Sequence, residues 1–305
     1  MKIKKVALLG AGAVGAYFVW GLAEKQDIDF CVIAKDARKA RLEKDGLIIN
    51  GKQYNPSVKT PEEAGAVDLL LVSSKQDGLE AALPDMQKLV GENTMVISLL
   101  NGVSSEDIIG KAVGMEYMLY SVMRIASVRE ENRINFVPEN TMGIFVGEKD
   151  FREPTERVLA VEELFRDTGI RYNFVEDIVA DIWMKYACNI SQNLPQAVLG
   201  VGFGAYVDSV HVHAIAEALW KEVVQVAKAK GILLKEELAL FNGVRPAARF
   251  STLQDLDAGR HTEIDMLAGE MVRMGEECGI AVPWCEYTYH LIKALEEKND
   301  GKFVY

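Results

Sequence analysis

The chain has 305 residues, 49% of them hydrophobic, which is enough for about two ordinary domains and excludes disordered, collagen-like and disulfide-scaffold proteins. Its 34 Lys and Arg against 45 Asp and Glu give a formal charge of −11. Such an acidic chain lacks the basic field that binds nucleic acid or an anionic membrane, so we expect neither partner.

The cysteines and the N-terminal segment indicate the cellular compartment. Cys31, Cys188, Cys278 and Cys285 show no C-x-x-C spacing, so we expect reduced thiols with structural roles. The first residues, MKIKKVALLG, lack the apolar region and cleavage site of a signal peptide, and no apolar run is long enough to span a membrane. We therefore expect a soluble protein of the cytoplasm.

The first part of the chain alternates β-rich runs with helical patterns, which is typical of βαβ units. Strands are predicted at residues 6–9, 29–33, 67–72 and 95–98, and a hairpin at Asn50-Gly51. Closely spaced runs follow, and they predict antiparallel additions at 119–128, 133–137 and 142–146. We expect an α/β Rossmann-type domain with a mixed sheet over residues 1–175.

The second part, residues 176–305, shows only helical periods, so we expect an all-helical domain. Apolar residues recur at steps of three and four and predict one helix: Val212, Ile215, Leu219, Val223 and Val226. Gly231 is placed to end this helix. Thr262 and Asp265 have the spacing of a capping box and predict the start of another helix.

A glycine motif follows the first predicted strand directly and opens a helical pattern. Its residues are Gly10, Ala11, Gly12, Ala13, Val14 and Gly15. In this position bare glycines let a pyrophosphate approach the backbone N–H groups at a helix start. The motif predicts a dinucleotide site, and a tight turn without a ligand is the alternative.

The end of the second predicted strand bears on the choice between NAD and NADP. NAD enzymes commonly have an acid there, whereas this chain has Lys35, followed by Arg38, Lys39 and Arg41. A cation suits a 2′-phosphate, so NADP(H) is favoured. Asp36 would favour NAD after a shift of one residue, and solvent-exposed helix charges would also explain the basic group.

Three polar residues lie along one face of the otherwise apolar helix predicted at 177–193. Lys185, Asn189 and Asn193 are four residues apart and therefore share one face of an α-helix. A functional site and a solvated face both explain this spacing. Glu263 by itself is explained by the helix dipole, and the four histidines have no ligand spacing, so no metal site is predicted.

Over almost its whole length the sequence resembles the ketopantoate reductases, part of the wider 6-phosphogluconate dehydrogenase-like group. The resemblance rests on the glycine motif, on Ser73-Ser74-Lys75 and Asn101-Gly102, and on two distinctive later blocks. These blocks are Trp183-x-Lys185-x-x-x-Asn189-x-x-x-Asn193, and Ser251-x-x-Gln254-Asp255 with Arg260-His261-Thr262-Glu263-Ile264-Asp265.

The resemblance implies reduction of 2-dehydropantoate to pantoate by NADPH, in the pathway to pantothenate and coenzyme A. Lys185 would be the general acid, and Glu263 would orient the lysine, substrate and cofactor. The implied substrate contacts are Asn101, Asn189, Asn193 and Ser251. The implied cofactor contacts beyond the glycine motif are Lys35, Lys75, Asn101, Ala126 and Glu263. A homodimer is compatible with the resemblance.

Two departures from the family pattern leave alternatives open. Lys35 stands where the family usually has arginine, and Leu100 stands where glutamine or histidine is frequent. A reductase of a different 2-ketoacid is therefore one alternative, and a non-enzymatic NADP(H) sensor is another.

Overall fold

The computed structural model describes residues 2–74, 78–241, 243–303 and 305. The chain divides into two compact units, Met1–Asp181 and Ile182–Tyr305. The functional boundary at 175/176 expected from the sequence stays a prediction. None of the helices in the described residues combines the length and apolarity needed to cross a bilayer.

The first unit is built from strands and helices in alternation. Its strands are β1 (Lys5–Leu9), β2 (Asp29–Ile33), β3 (Leu47–Ile49), β4 (Lys52–Tyr54), β5 (Ser57–Lys59), β6 (Leu69–Val72), β7 (Met95–Ser98), β8 (Met118–Arg124), β9 (Ser127–Glu130), β10 (Arg133–Phe136), β11 (Gly143–Gly147) and β12 (Tyr172–Phe174). Its helices are α1 (Gly15–Leu22), α2 (Asp36–Asp45), α3 (Pro61–Ala64), α4 (Leu79–Leu89), α5 (Ser105–Val113) and α6 (Glu156–Phe165).

The main sheet has the strand order β12-β11-β8-β7-β6-β1-β2-β5. β1, β2, β6 and β7 pair in parallel, and β8 pairs antiparallel with β11. Along β1, Val6 and Leu8 face one apolar cluster while Ala7 and Leu9 face another. Burial on both faces is expected where parallel strands are covered by crossover helices.

The four predicted parallel strands and the hairpin are confirmed, but the later runs do not all join one sheet. The run predicted at 119–128 divides into β8, which pairs in parallel with β7, and β9. β9 and β10 pair antiparallel, and β10 pairs in parallel with β3. The strand order β4-β3-β10-β9 forms a second, smaller sheet. This long-range pairing is not visible in local sequence spacing.

The topology places three loops at one edge of the main sheet. Parallel strands end on the same side, and Gly10, Ser73 and Asn101 follow the carboxyl ends of β1, β6 and β7. In open α/β sheets ligands bind outside these carboxyl ends. The fold therefore gathers the glycine motif and Asn101 at the edge where cofactor sites occur.

The regular elements that the structure describes in the second unit are helical, as predicted. Helix α7 (Ile178–Cys188) spans the division between the two units. The helices after it are α8 (Leu194–Leu199), α9 (Ala205–Asp208), α10 (Val210–Ala229), α11 (Ser251–Asp257), α12 (Glu270–Cys278) and α13 (Pro283–Asn299). Two π-helical segments, Asn189–Asn193 and Asp265–Gly269, precede α8 and α12.

The predicted apolar stripe of α10 is confirmed as a buried face in the second half of the helix. Leu219, Val223 and Val226 are fully buried, together with Trp220. Gly231 follows the helix with φ +79°, the left-handed conformation that ends many helices. All four cysteines are free thiols, and Cys31, Cys188 and Cys285 are buried.

A buried carboxyl lies at the start of α5, close to the edge of the main sheet. Glu106 is 4% exposed, and its carboxylate accepts a hydrogen bond of 2.8 Å from the Ser105 hydroxyl. The Ser105 hydroxyl also lies 2.8 Å from the Ser98 hydroxyl. Desolvation raises the pKa of Glu106 to about 7, against the lowering effect of the Ser105 hydrogen bond. The folded protein therefore favours the neutral acid.

We expect Glu106 to make the protein less stable as pH rises. The Glu106 carboxyl loses its proton near pH 4.5 in the unfolded chain and near pH 7 in the folded chain. The free energy of unfolding therefore falls as pH rises from about 4.5 to about 7, and this carboxyl causes no further loss at higher pH. Between about pH 5 and about pH 8 the loss is roughly 2 kcal/mol. Urea unfolding should show that Glu106→Gln loses this component, while the exposed Glu80→Gln keeps it. An unchanged pH dependence in Glu106→Gln would refute the assignment.

Candidate functional site

The glycine motif forms a tight connection between β1 and α1. Gly10 has φ +101°, and a Cβ there would clash with the backbone carbonyl of Ser73. A Cβ on Gly15 would clash with the carbonyl of Gly10. Both positions therefore require glycine for the chain to turn and for neighbouring backbones to approach.

Gly12 differs from these two glycines because space beside it is open. A Cβ there would have Arg129 Nη1, at 3.8 Å, as its nearest neighbour. Packing within the described residues thus does not require glycine at this position. No side chain caps the start of α1, and the N–H groups of Ala16 and Tyr17 donate to the backbone carbonyls of Gly12 and Val14.

The fit of a dinucleotide to this loop is supported by a second feature. The Ser74 hydroxyl is buried and has no hydrogen-bond partner among the described residues. It lies beside Gly10, since a Cβ on that glycine would approach the Ser74 backbone nitrogen. An open backbone loop with an unused buried hydroxyl suits a polar ligand.

The basic residues after β2 have different surroundings. Lys35 Nζ lies 2.6 Å from an Asp85 carboxylate oxygen. Lys39 pairs with Glu63 at 2.9 Å and Glu43 at 3.0 Å, and hydrogen bonds to these acids raise its pKa. Both lysines therefore have carboxylate partners within the protein.

Two further cofactor candidates of the first unit, Asn101 and Ala126, lie in loops. Lys75 lies outside the described residues. Asn101 follows β7, is half-buried and makes a polar contact, and the next residue, Gly102, has φ +92°. Ala126 is exposed between β8 and β9, and Asp36 begins α2 with φ +50°.

The prediction of one continuous α-helix over 177–193 is wrong. α7 ends at Cys188, and residues 189–193 form a π-helical segment. Pro195 supplies the physical reason, because its ring lacks an N–H and conflicts with the carbonyl four residues earlier in an α-helix. Such π segments often occur at functional sites.

The change of helix type keeps the two asparagines together. Asn193 Nδ2 donates to Asn189 Oδ1 at 3.2 Å. Asn193 is buried, Asn189 and Lys185 are half-buried, and Lys185 makes a polar contact of its own. This burial argues against the alternative that the stripe is a solvated helix face.

Two buried glutamines that the sequence reasoning missed hold the chain that leads to Ser251. The Gln192 side chain bonds to the Ala239 carbonyl at 3.0 Å and the Phe241 N–H at 3.1 Å. Gln196, one turn later, bonds to the Ala248 carbonyl at 3.0 Å and the Phe250 N–H at 2.6 Å. Their four-residue spacing was a signal, since two fully buried amides on one helix face need partners.

A helical stretch begins at Asp265, close to the start predicted at Thr262, but Thr262 and Asp265 do not form a capping box. The Thr262 hydroxyl donates to Glu296 at 2.7 Å, and Asp265 instead binds the Tyr289 hydroxyl at 2.8 Å and Lys293 at 3.1 Å. These long-range partners compete successfully for the side chains that a local cap would use. Glu263 is half-buried just before the second π segment and has a polar contact of its own.

The candidate polar residues of the second unit lie on elements that contact one another. The segment Asn189–Asn193 contacts both α11, which begins at Ser251, and the π segment Asp265–Gly269. Ser251 is exposed at the first position of its helix. Lys185 lies one turn before Asn189 in α7. Among the described residues, no cluster of three or more metal-ligating side chains is found.

Comparison with known proteins gives one consistent family. The model of "Ketopantoate reductase PanE/ApbA" matches residues 6–146, and that of its C-terminal domain matches residues 177–296. The 2-dehydropantoate 2-reductase of Archaeoglobus fulgidus is 30% identical over 97% of this chain and 99% of its own.

Solved structures show the same relationship. A PanE/ApbA family ketopantoate reductase from Ralstonia eutropha JMP134 has a TM-score of 0.83 and 26% identity, with coverage of 97% of this chain and 99% of its own. A D-mandelate dehydrogenase in complex with NADH and anilino(oxo)acetate has a TM-score of 0.82 and 25% identity, with the same coverage. The chain therefore belongs to the ketopantoate reductase family of NAD(P)H-dependent oxidoreductases.

Proposed function

We propose that this enzyme reduces 2-dehydropantoate to pantoate with NADPH, in the cytosolic route to pantothenate and coenzyme A. The observation that carries the proposal is the polar set Lys185, Asn189 and Asn193, which is buried or half-buried and whose two asparagines belong to the π segment. In this proposal residues 1–175 bind the cofactor and residues 176–305 carry substrate binding and catalysis.

The glycine motif would hold the cofactor pyrophosphate. Open space beside Gly12 and the uncapped start of α1 support this role, and NADPH supplies a hydride when bound. Lys75 and Asn101 are proposed to border the reactive end of the cofactor, with Ala126 and Glu263.

Lys185 is proposed as the general acid. Reduction of a ketone leaves negative charge on its oxygen, so an ammonium group there stabilises the charge and donates the proton. Glu263 would orient this ammonium. Asn189, Asn193, Asn101 and Ser251 would hold the hydroxyl, keto and carboxylate oxygens of the substrate.

A panel of ketoacids tests the proposed substrate. We expect oxidation of NADPH with 2-dehydropantoate to give a kcat/KM at least about 100-fold above that for phenylglyoxylate or pyruvate, because buried polar groups reject substrates that leave them unpaired. The same panel with NADH tests the cofactor. Equal or lower kcat/KM for 2-dehydropantoate would reject the proposed substrate.

The second candidate function is a dehydrogenase for another 2-hydroxy acid. It is favoured by the similarity to D-mandelate dehydrogenase and by Leu100, an apolar residue beside Asn101 where the family often has a polar one. In the panel it predicts the highest kcat/KM with phenylglyoxylate, the ketoacid that corresponds to mandelate. The alternative of a non-enzymatic sensor has no comparable support.

A further inference from the structure

Glu296 on α13 is a buried carboxylate to which the proposed reaction assigns no part. It is 2% exposed, and its Oε1 accepts hydrogen bonds from the N–H and the hydroxyl of Thr262, each at 2.7 Å. A buried carboxylate costs free energy unless donors replace the water that it loses. An apolar side chain would pack there without this cost. The glutamate at this position is therefore explained by its bonds to Thr262.

These bonds fix the backbone around Glu263. Thr262 directly precedes Glu263, and its hydroxyl accepts a further hydrogen bond at 3.2 Å from the N–H of Ile264, the residue that follows. The chain on both sides of Glu263 is thus tied to Glu296 through one hydroxyl. A rotation of the Thr262 backbone would break its bonds to Glu296 and turn the adjacent Glu263. The direction of the Glu263 side chain therefore depends on Glu296.

The second oxygen of Glu296 is also held by its surroundings. Oε2 has no hydrogen bond within the described residues, but it lies 3.3 Å from Lys293 Nζ and 3.6 Å from His261 Nδ1. Lys293, one turn earlier on α13, also lies 3.1 Å from an Asp265 carboxylate oxygen. One face of α13 therefore holds the chain both before and after Glu263.

We propose that Glu296 is a positioning residue for the reduction: it acts through Thr262 to direct the Glu263 side chain, which in turn orients the Lys185 ammonium. This inference deepens the proposed function and rests on it for the role of Glu263. A misplacement of about 1 Å, even one that originates far from the reacting atoms, costs on the order of 100-fold in rate. Loss of the link should therefore lower kcat, and only while Glu263 is present.

Kinetics of the full-length protein, with the ketoacid that wild type reduces best, test the link. Glu296→Leu and Thr262→Val should each lower kcat about 10- to 100-fold, while the NADPH dissociation constant stays within about 3-fold of wild type. In a Glu263→Gln background the same substitutions should lower kcat less than about 3-fold further, because the residue through which they act is already lost.

Two control variants separate the link from general effects of substitution. Thr262→Ser keeps the hydroxyl and should keep most of the wild-type kcat. Glu286→Gln removes an exposed carboxylate from the first turn of the same helix and should match wild type.

Amide hydrogen exchange gives a readout that needs no turnover. The N–H groups of Thr262 and Ile264 should exchange at least about 10-fold faster in Glu296→Leu than in wild type, because both depend on the buried carboxylate. In Glu286→Gln their exchange should be unchanged.

Equal reductions of kcat in the Glu263 and Glu263→Gln backgrounds would overturn the proposal, as would wild-type kcat or unchanged exchange in Glu296→Leu. Circular dichroism checks that the fold is kept, and Thr262→Val, which leaves the buried charge in place, decides the question if Glu296→Leu does not fold. A wild type that reduces no ketoacid contradicts the proposed function, whereas the exchange rates still decide whether Glu296 fixes the segment around Glu263.

Discussion

Replacing Lys185 by alanine should lower kcat for ketoacid reduction by about 10²- to 10⁴-fold, the range for loss of a general acid. The dissociation constant for NADPH should stay within about 3-fold of wild type, because the proposed role of Lys185 lies with the developing alkoxide rather than with cofactor binding. Single-turnover kinetics and cofactor titration measure these two quantities separately.

Two further variants distinguish proton donation from charge. Lys185→Arg keeps a cation but holds its proton too strongly to donate it near neutral pH, so its kcat should remain low while the ketoacid KM is largely kept. Lys221→Ala removes an exposed lysine of the same unit, on α10, and should match wild type. Near-normal turnover of Lys185→Ala would remove this residue from the catalytic role.

Replacing Gly12 by valine should abolish measurable NADPH binding, with a dissociation constant at least about 100-fold higher, while the fold is kept. The new side chain meets open space, with Arg129 as its nearest neighbour, so it occupies room proposed for the pyrophosphate without disturbing the core. Cofactor titration and thermal unfolding measure the two effects.

Gly15→Val is the matched comparison, since the same side chain at that position collides with the Gly10 backbone. It should lose both cofactor binding and thermal stability. If Gly12→Val binds NADPH normally, the cofactor does not approach the backbone at the glycine motif.

Local sequence pattern predicted the main elements of the fold well. Strand periodicity found β1, β2 and β7 because buried parallel strands are short, continuous apolar runs between helical patterns. The hairpin at Asn50-Gly51 could be predicted from the sequence because its turn needs residues that accept a positive φ. Asn50 and Gly51 both have a positive φ in the structure. The second sheet was missed because β10 pairs with β3, more than eighty residues earlier in the sequence.

The roles of the candidate site residues stay predictions, and the local geometry of the segment that holds the asparagines differs from the expected one. The spacing of Lys185, Asn189 and Asn193 indicated one helix face, yet Pro195 changes the hydrogen-bonding pattern of the segment that holds both asparagines. The spacing of Gln192 and Gln196 is a local signal that the two side chains share a helix face, but it does not reveal their partners, which lie in a distant loop. Arg129 was missed for the same reason, because only the small sheet brings it to the glycine motif.

The position of Thr262 shows how tertiary contacts override a local motif. Its spacing from Asp265 matched a capping box, but the buried Glu296 on α13 binds both its N–H and its hydroxyl at 2.7 Å. A buried carboxylate needs such donors more than an exposed helix start needs a cap. The segment with Glu263 is thus fixed by α13.

Isotope transfer tests the central claim most directly, namely that this chain moves a hydride from NADPH to the keto carbon of 2-dehydropantoate with a proton from Lys185. Wild-type enzyme is supplied with NADPH in which the transferable hydrogen is deuterium, and the product is analysed by mass spectrometry. We expect pantoate with one deuterium on the carbinol carbon, formed much more slowly by Lys185→Ala. No pantoate, or pantoate without deuterium at that carbon, would contradict the account.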